Sequence, residues 1–383
     1  MSETAREAAV QSLDGGLTAT AAVPGHAAVS RGRGSTGRNR AYAALDLGTN
    51  NCRLLVARPS PRGFKVIDAF SRIIRLGEGV AMSRRLSAEA IERTIEALKV
   101  CAGKMRRHRV ERAGLIATEA CRLADNAIEF LSRVRTETDL DIKVLSREAE
   151  ARLAVCGCAS LIDANSDLVL VFDIGGGSSE LIWLDLAQHR QRSNGAYLDR
   201  LEVQNCVAAW TSLPVGVVTL AERYDGRLVD AESFEAMVAH VAALLAPFEA
   251  QHRLRRRMAG RRTQLLGTSG TVTTLAGVHL DLPRYDRRQV DGCWLDVRQA
   301  RAVTAQLLAS SHAERVAQPC IGKERADLVL AGCAILEAVL RAWPCERLRV
   351  ADRGLREGIL ATLMAEDGVH RSDNRRWRRN ARR

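Results

Sequence analysis

Two short segments of the chain share an order of residue types that suits phosphate binding. Residues 46–50 read Asp-Leu-Gly-Thr-Asn, and residues 173–178 read Asp-Ile-Gly-Gly-Gly-Ser. Glycine lets backbone N–H groups approach phosphate oxygens closely, and small hydroxyl side chains add further donors. The pair predicts two related half-molecules that hold one phosphate chain between them. The candidate phosphate contacts in these segments are Gly48, Thr49, Asn50, Gly175, Gly176, Gly177 and Ser178.

A third segment of the same composition, residues 267–271, reads Gly-Thr-Ser-Gly-Thr and precedes a helix predicted to begin near residue 272. The N-terminus of a helix attracts anions, because its first N–H groups are free and its dipole is positive there. We expect Gly267, Ser269 and Gly270 to contact phosphate. None of the three segments is a Walker A loop, since no Lys-Ser/Thr pair follows a G-x-x-x-x-G pattern.

The acidic residues that open the first two segments predict a metal ion. Asp46 and Asp173 would repel phosphate unless a divalent cation lay between them. Mg²⁺ suits such a place, since it is commonly held by phosphate oxygens, water and one or two carboxylates. Either aspartate alone would be explained as a turn-forming residue. The cysteines and histidines show no spacing typical of a zinc site.

A general base would have to come from elsewhere in the chain. Glu148 and Glu150 follow a predicted strand at the junction of the two halves. A carboxylate there could face a cleft and take a proton from water. Spacing alone favours a solvated helix face for both residues.

Composition limits the functions that fit the chain. The chain has 383 residues and is 46% hydrophobic, enough for two or three domains. Aromatic residues make up only 4%, which does not favour a protein that stacks nucleic-acid bases. Ten cysteines without a secretory segment indicate a cytoplasmic protein. We found no apolar stretch of the roughly 18 residues that a membrane span needs, so we expect no membrane contact.

The net charge of +12 lies mostly in the two tails. Residues 371–383 contain seven arginines and one aspartate, and the run 375–379 could bind a polyanion such as RNA or polyphosphate. A disordered solubilising tail is the alternative. Residues 1–40 show little periodicity and are predicted to be disordered, or to belong to an over-extended gene start.

The predicted secondary structure follows one plan twice. In each half an apolar strand leads into the acidic turn, a second strand returns from it, and helix-rich sequence follows. This indicates an architectural duplication in an α/β protein. Ordered sequence is predicted from residue 41, and strands are predicted at 43–46, 52–57, 64–68, 114–118, 142–145, 167–173, 180–184, 264–266 and 348–350. Helices are predicted after Ser87 and at 126–135, 231–250, 325–342 and 355–364.

Eight blocks in a fixed order give the chain a family resemblance between residues 41 and 364. They begin at residues 46 (DLGTN), 75 (RLGEG), 117 (ATEACR), 150 (EARL), 173 (DIGGGSSE), 267 (GTSGT), 324 (ERAD) and 355 (LREG). In these blocks the chain resembles the exopolyphosphatase / guanosine pentaphosphate phosphatase family of the actin-like ATPase superfamily. It lacks the His-Asp dipeptide of the longer members and so resembles the short, two-domain type.

The resemblance implies two actin-like (ribonuclease H-like) α/β domains around a central cleft, with a C-terminal helix crossing back to the first domain. The expected boundaries are a disordered tail at 1–40, domain I at 41–148 with the crossing helix 353–366, domain II at 149–352, and a basic disordered tail at 367–383.

The resemblance also assigns roles to residues. Glu150 takes the place of the catalytic glutamate that activates water, and Asp46 and Asp173 match acidic residues around the Mg²⁺ site. Arg122 and Arg325 are either polyanion contacts or ordinary salt-bridge residues. The family often shows an acidic pair after Asn where this chain has Ser-Arg-Glu-Ala-Glu at 146–150, so Glu148 stays a rival base. Glu180 matches an acidic position without an assigned role, and Asn51 replaces the usual Ser.

The implied activity is hydrolysis of terminal phosphoanhydride bonds of polyphosphate, with release of orthophosphate. The alternatives are a guanosine pentaphosphate 5′-phosphohydrolase, an actin-like ATP-dependent kinase or chaperone, and a silent binder of polyphosphate or RNA. Either polyphosphate or guanosine pentaphosphate is expected as substrate, and a homodimer is left open.

Overall fold

The computed structural model of the chain describes residues 40–61, 63–192 and 202–369. Most of both predicted tails, residues 1–39 and 370–383, lies outside the described residues. At the C-terminal end the Asp367 carboxylate accepts a hydrogen bond of 2.7 Å from the Tyr42 hydroxyl and pairs with Arg112. The packed part of the chain therefore reaches at least to Asp367.

The first half of the chain builds a five-stranded sheet in the order β3-β2-β1-β4-β5. The β1–β2 and β2–β3 pairs are antiparallel, whereas β4 and β5 extend the sheet in parallel. The strands are β1 (Ala41–Leu47), β2 (Asn51–Ser60), β3 (Gly63–Ile73), β4 (Val110–Ala117) and β5 (Lys143–Val144). The helices of this half are α1 (Val80–Ser83), α2 (Ala88–Arg107), α3 (Glu119–Leu123) and α4 (Ala127–Thr138).

Helix α2 covers one face of this sheet for reasons visible in its sequence. The Ser87 hydroxyl caps the helix by accepting a hydrogen bond of 3.2 Å from the Ala90 N–H. Ile95 and Leu98, one turn apart, are fully buried in the core of the first half. Burying a side chain of this size stabilises the fold by roughly 1.5–3 kcal/mol.

The second half repeats this sheet and adds one strand. Its order is β10-β11-β9-β6-β7-β8, with β6–β7 and β7–β8 antiparallel and β6–β9–β11 parallel. The added strand β10 pairs antiparallel with β11 at the edge. The strands are β6 (Leu168–Ile174), β7 (Ser179–Asp185), β8 (Val207–Leu213), β9 (Thr263–Thr268), β10 (Trp294–Asp296) and β11 (Arg347–Ala351).

The remaining helices belong to the junction and the second half. Two 3₁₀ segments, Ala159–Leu161 and Glu202–Cys206, accompany them. The helices are α5 (Arg147–Cys158), α6 (Leu186–Arg192), α7 (Val217–Tyr224), α8 (Ala231–His252), α9 (Leu254–Met258), α10 (Gly270–His279), α11 (Arg287–Val290), α12 (Val297–Ala309), α13 (His312–Ala317), α14 (Val329–Ala342) and α15 (Leu355–Glu366).

Helices α5 and α15 join the two halves and cross at very close range. A Cβ on Gly157 would lie 1.8 Å from the Gly354 carbonyl oxygen, and a Cβ on Gly358 would lie 2.0 Å from the Leu153 carbonyl oxygen. Only glycine permits this approach of the two backbones. On its other side α15 packs Ile359 and neighbouring apolar residues against β1 and β4 of the first sheet.

Helix α8 has 22 residues and, by length and composition alone, could cross a membrane. This corrects the expectation that no stretch of the chain is long and apolar enough. A core helix passes the same test. Here Phe234, Met237, Val241 and Leu245 are buried in the core of the second half.

Several predicted elements differ from those observed. The predicted helix 325–342 begins only at Val329, because residues before it form consecutive turns, such as the Arg325 N–H bond to the Gly322 carbonyl. The third strand runs to Ile73 rather than residue 68. Strands β8 and β10 and helices α7 and α12 were missed.

Candidate active site

The two acidic turns face each other across a cleft between the sheets, which encloses about 1200 Å³ including its open mouth. Most of the residues predicted to bind phosphate or metal, and the predicted base, line this cleft. They are Asp46, Thr49, Asn50, Glu150, Asp173, Gly175, Gly176, Gly177, Ser178, Ser269, Gly270 and Arg325. The structure therefore brings together residues that lie up to 279 positions apart in the sequence.

Three predicted phosphate contacts are not part of the cleft wall. Gly48 closes the first turn, where its N–H donates to the Asn51 carbonyl at 2.9 Å. Gly267 lies at the buried end of β9, and a Cβ there would come within 2.6 Å of the Phe172 ring, so this glycine serves packing. Arg122 is held behind the wall by Glu119, Glu150 and a carbonyl oxygen.

The two turns have the same geometry. As in the first turn, the Gly175 N–H donates to the carbonyl three residues ahead, that of Ser178, at 2.9 Å. Within the described residues, the N–H groups of Asn50 and Gly176 at the tips have no acceptor. Free N–H groups at two facing tips are suited to bind phosphate oxygens.

Glycine at the second tip is required by the closeness of the two turns. A Cβ on Gly176 would lie 3.0 Å from Cβ of Thr49, and a Cβ on Gly177 would lie 2.9 Å from the Thr49 hydroxyl. A larger residue would push the two halves apart and widen the site.

The third segment presents a hydroxyl group without a partner. Ser269 precedes α10 with φ of 89°, a conformation that non-glycine residues rarely adopt. Its Oγ is buried and makes no hydrogen bond within the described residues. A buried hydroxyl at a helix N-terminus is a natural donor to a bound anion.

The two predicted metal-binding aspartates have raised pKa values. Burial raises the pKa of Asp173 to about 7, helped by the negative charges of Glu180 and Asp46. Burial also raises the pKa of Asp46, but the positive charges of Arg53 and Arg356 counteract it. Such carboxylates are poised for a cation, because a cation would remove their repulsion.

Glu150 lies in the first turn of α5, whose N-cap Ser146 accepts a hydrogen bond of 3.3 Å from Ala149 N–H. Burial and the negative charge of Glu180 raise its pKa well above the usual value, while Arg122 acts in the opposite direction. The Arg122 guanidinium and the Glu150 carboxylate approach to 2.9 Å, at angles outside hydrogen-bond geometry.

The rival base Glu148 faces solvent. Its side chain is 51% exposed and pairs with Arg152 one turn along the same helix. It is not part of the cleft wall. Of the two glutamates, the structure therefore gives only Glu150 access to the cleft.

Sequence reasoning missed several charged residues of the cleft: Arg53, Glu119, Arg356 and Glu357. Arg53 and Arg356 make no ion pair or side-chain hydrogen bond within the described residues, so they are available to an anion. A charged residue inside the apolar strand 52–57 was a usable signal for Arg53. Arg356 comes from the far end of the chain, where the block LREG at 355–358 carried the resemblance but no predicted role.

The cleft suits a hard divalent cation whose remaining ligands come from water and substrate. Its wall carries seven carboxylates and four guanidinium groups. Within the described part of the chain, no group of three or more His, Cys, Asp or Glu side chains is arranged to hold a metal by itself. One or two carboxylates completed by substrate oxygens and water match the habits of Mg²⁺.

The chain is similar to known proteins over most of its length. A family model described as the Ppx/GppA phosphatase family matches residues 55–367. A curated guanosine-5′-triphosphate,3′-diphosphate pyrophosphatase from Photobacterium profundum is 29% identical over 335 residues. The match covers 86% of this chain but only 60% of that relative.

Solved structures show the same fold. A member of the Ppx/GppA protein family from Aquifex aeolicus aligns with a TM-score of 0.68 and 28% identity, covering 86% of this chain and 98% of the other. An exopolyphosphatase from Cytophaga hutchinsonii aligns with a TM-score of 0.74 at 24% identity, covering 85% and 98%. These matches confirm the predicted pair of actin-like α/β domains with a returning C-terminal helix.

Proposed function

The chain belongs to the Ppx/GppA phosphatase family, and from this premise we propose that it hydrolyses the terminal phosphoanhydride bond of inorganic polyphosphate with release of orthophosphate. The observation that carries the proposal is the place of Glu150. Its carboxylate borders the same cleft as the three segments predicted to bind phosphate. A buried carboxylate with a raised pKa is a stronger base than an exposed one and can take a proton from attacking water.

The chain's own groups supply the other requirements of phosphoryl transfer. The free N–H groups at the Asn50 and Gly176 tips and the Ser269 hydroxyl bind the oxygens of the terminal phosphate. Arg53 and Arg356 neutralise charge on the phosphate chain. Water held by Glu150 attacks phosphorus in line with the leaving chain, and the proton passes to the Glu150 carboxylate.

We propose Asp46 and Asp173 as holders of Mg²⁺, with Glu180 as a further candidate. Glu180 lies directly across the β6–β7 pair from Asp173, and its Oε1 accepts hydrogen bonds from Ser178 and Ser212 at 2.7 and 2.9 Å. These bonds fix the carboxylate toward the cleft. When bound, Mg²⁺ supplies positive charge that stabilises the transferring phosphoryl group.

Guanosine pentaphosphate is the second candidate substrate, with release of its 5′ terminal phosphate. A second chamber of about 600 Å³, including its open mouth, adjoins the cleft at Asn50 and Leu328. Carboxylates outnumber arginines in its wall, which carries Glu78, Glu222, Asp225 and Asp327 beside Arg75 and Arg227. Such a wall repels further phosphate but accepts hydrogen bonds from the N–H and O–H groups of a nucleoside.

Side-by-side kinetics test both candidates. Orthophosphate release from long polyphosphate and from guanosine pentaphosphate would be measured with purified full-length chain over a series of Mg²⁺ concentrations. We expect Mg²⁺-dependent release with the higher kcat/KM on polyphosphate. A higher value on guanosine pentaphosphate would favour the second candidate, and no release from either would refute the hydrolase proposal.

The kinase and silent-binder alternatives would each give a different result in such assays. Phosphate transfer from ATP to an acceptor would favour the kinase alternative. Polyanion binding that survives loss of Mg²⁺ and weakens steeply with salt, without turnover, would favour the silent binder. A cytoplasmic location, a homodimer and a polyanion-binding role of the tail at 375–379, which lies outside the described residues, belong with these predictions.

A further inference from the structure

Four charged side chains form a line from the surface of the protein to Glu150. Arg147 at the outer end is 41% exposed, and its Nη2 lies 2.5 Å from Glu119 Oε1. Glu119 Oε2 in turn accepts a hydrogen bond of 2.7 Å from Arg122 Nε. Arg122 Nη2 lies 2.9 Å from Glu150 Oε2. The line alternates in sign, so each member holds the next.

Glu119 is the buried centre of this line. It is only 2% exposed, although an isolated buried carboxylate is costly. Burial alone would raise its pKa, but the hydrogen bond from Arg147 and the charge of Arg122 outweigh it and hold the pKa below the usual value. Glu119 is therefore ionised under ordinary conditions and keeps two guanidinium groups in place.

The position of Arg122 depends on Glu119. Apart from the carboxylate of Glu119, Arg122 has one neutral partner among the described residues, the Leu145 carbonyl oxygen, which accepts from Arg122 Nη1 at 2.7 Å. The contact with Glu150 does not have hydrogen-bond angles and so fixes the guanidinium poorly by itself. Glu119 also lies under the second phosphate turn, because a Cβ on Gly177 would be 3.1 Å from its Cγ.

We propose that Glu119 is a positioning residue which, together with Arg147, holds the Arg122 guanidinium against Glu150. This proposal rests on the function proposed above, in which Glu150 is the base. Glu119 touches neither water nor phosphate in this scheme. It acts through Arg122 on the orientation and charge of Glu150.

The groups that face Glu150 predict the sign of the effect. Glu180 on β7 and Asp46 on β1 raise its pKa together with burial, and Arg122 on α3 lowers it. If Arg122 moves away, the pKa of Glu150 rises further. Less of the ionised base is then present at a given pH, and the acidic limb of the rate profile moves to higher pH.

The experiment compares Glu119→Gln, Arg147→Met and the double variant in the full-length chain. We expect Glu119→Gln to lower kcat about ten-fold, to leave KM within about two-fold, and to move the acidic limb upward by about half a pH unit or more. Arg147→Met should act in the same direction with about a three-fold loss. The double variant should be no worse than Glu119→Gln, because Arg147 acts through Glu119.

Glu148→Gln is the matched control. It makes the same Glu-to-Gln change at an exposed carboxylate, in the turn of α5 that also carries Glu150. It should leave kcat and the acidic limb unchanged. An unmoved acidic limb in Glu119→Gln, or losses that add fully in the double variant, would overturn the positioning role. Arg147 is half-exposed, so its variant should fold even if Glu119→Gln does not.

A second readout separates this proposal from the proposed function. The pKa of Glu150 can be followed by ¹³C chemical shifts of labelled glutamate carboxyls, assigned with Glu150→Gln, without any turnover. We expect a higher pKa of Glu150 in Glu119→Gln and Arg147→Met than in the unmodified chain. An unchanged pKa in both would reject the positioning role even if hydrolysis is confirmed, whereas a wild type without phosphate release would reject only the hydrolase.

Discussion

The two acidic turns share a backbone arrangement but differ in the charge of the side chain that lies opposite each aspartate. In the β1–β2 pair Asp46 lies opposite Arg53, and at the same register of the β6–β7 pair Asp173 lies opposite Glu180. Both turns are closed by the same hydrogen bond from a glycine N–H to the carbonyl three residues ahead. The halves therefore differ at this point by the sign of one side chain.

From that difference we infer different tasks for the two halves. Burial raises the pKa of both aspartates, but Arg53 counteracts it at Asp46 while Glu180 adds to it at Asp173. The first half presents the Arg53 cation beside Asp46, so we expect Asp46 to contribute less to a Mg²⁺ site than Asp173 and this half to favour the phosphate chain. The second half presents two facing carboxylates and suits a metal ion.

The largest effect should follow from removing the aspartate charge in each half. We expect Asp173→Asn to lower kcat/KM about a thousand-fold, because charge stabilisation of the transferring phosphoryl is lost. Asp46→Asn should lose about ten-fold, since Arg53 and Arg356 remain beside it. Orthophosphate release at varied Mg²⁺ measures both. Equal losses in the two variants would break the proposed division of tasks.

The next effect concerns the crossing that joins the halves. Gly157→Ala should destabilise the protein by about 3 kcal/mol, because the new Cβ would meet the Gly354 carbonyl. Gly103→Ala is the control: within the described residues, a Cβ added there would meet no atom within 4 Å outside its own stretch of α2, so the change should stabilise by about 0.5–1 kcal/mol. Denaturant unfolding measures both changes. Similar stabilities would show that the crossing tolerates a wider spacing.

A smaller effect should distinguish the two residues opposite the aspartates. Arg53→Gln should raise the KM for substrate about ten-fold and leave the Mg²⁺ requirement unchanged. Glu180→Gln should instead raise the Mg²⁺ concentration needed for half-maximal rate. The assay varies substrate and Mg²⁺ independently. If both variants changed the same constant, the opposite residues would not carry separate tasks.

The smallest effect should appear in stability without Mg²⁺. The pKa of Asp173 is raised in the folded state, so its contribution is complete below about pH 4 and is lost as pH rises through about 7. Asp173→Asn removes this loss. As pH rises from 4 to 8, the free energy of unfolding of this variant should therefore increase by about 1–2 kcal/mol relative to that of the unmodified chain, allowing for partial exposure to the cleft. Thermal unfolding at both pH values measures it, and a gain at pH 4 instead would contradict the sign.

The features that depend on neighbouring residues could be predicted from the sequence. Asp46 and Asp173 end continuous apolar strands and precede glycine, so both turns were recognisable from neighbouring residues. The opposite residues were not paired in advance, because the register of β1 with β2 depends on the length of the turn. Arg356 and Glu119 reach the cleft only through the packing of α15 and α3. Gly267 packs against the Phe172 ring outside the cleft wall, and the sequence could not show this because a packing glycine and a phosphate-binding glycine have the same local pattern.

The most direct test of Glu150 as the base is a comparison of Glu150→Gln with Glu148→Gln. Orthophosphate release from polyphosphate at saturating Mg²⁺ would be measured beside the affinity of each variant for polyphosphate. We expect Glu150→Gln to bind polyphosphate normally and to lose turnover by about a thousand-fold, while Glu148→Gln retains both. Turnover by Glu150→Gln close to that of the unmodified protein would contradict the assignment of the base.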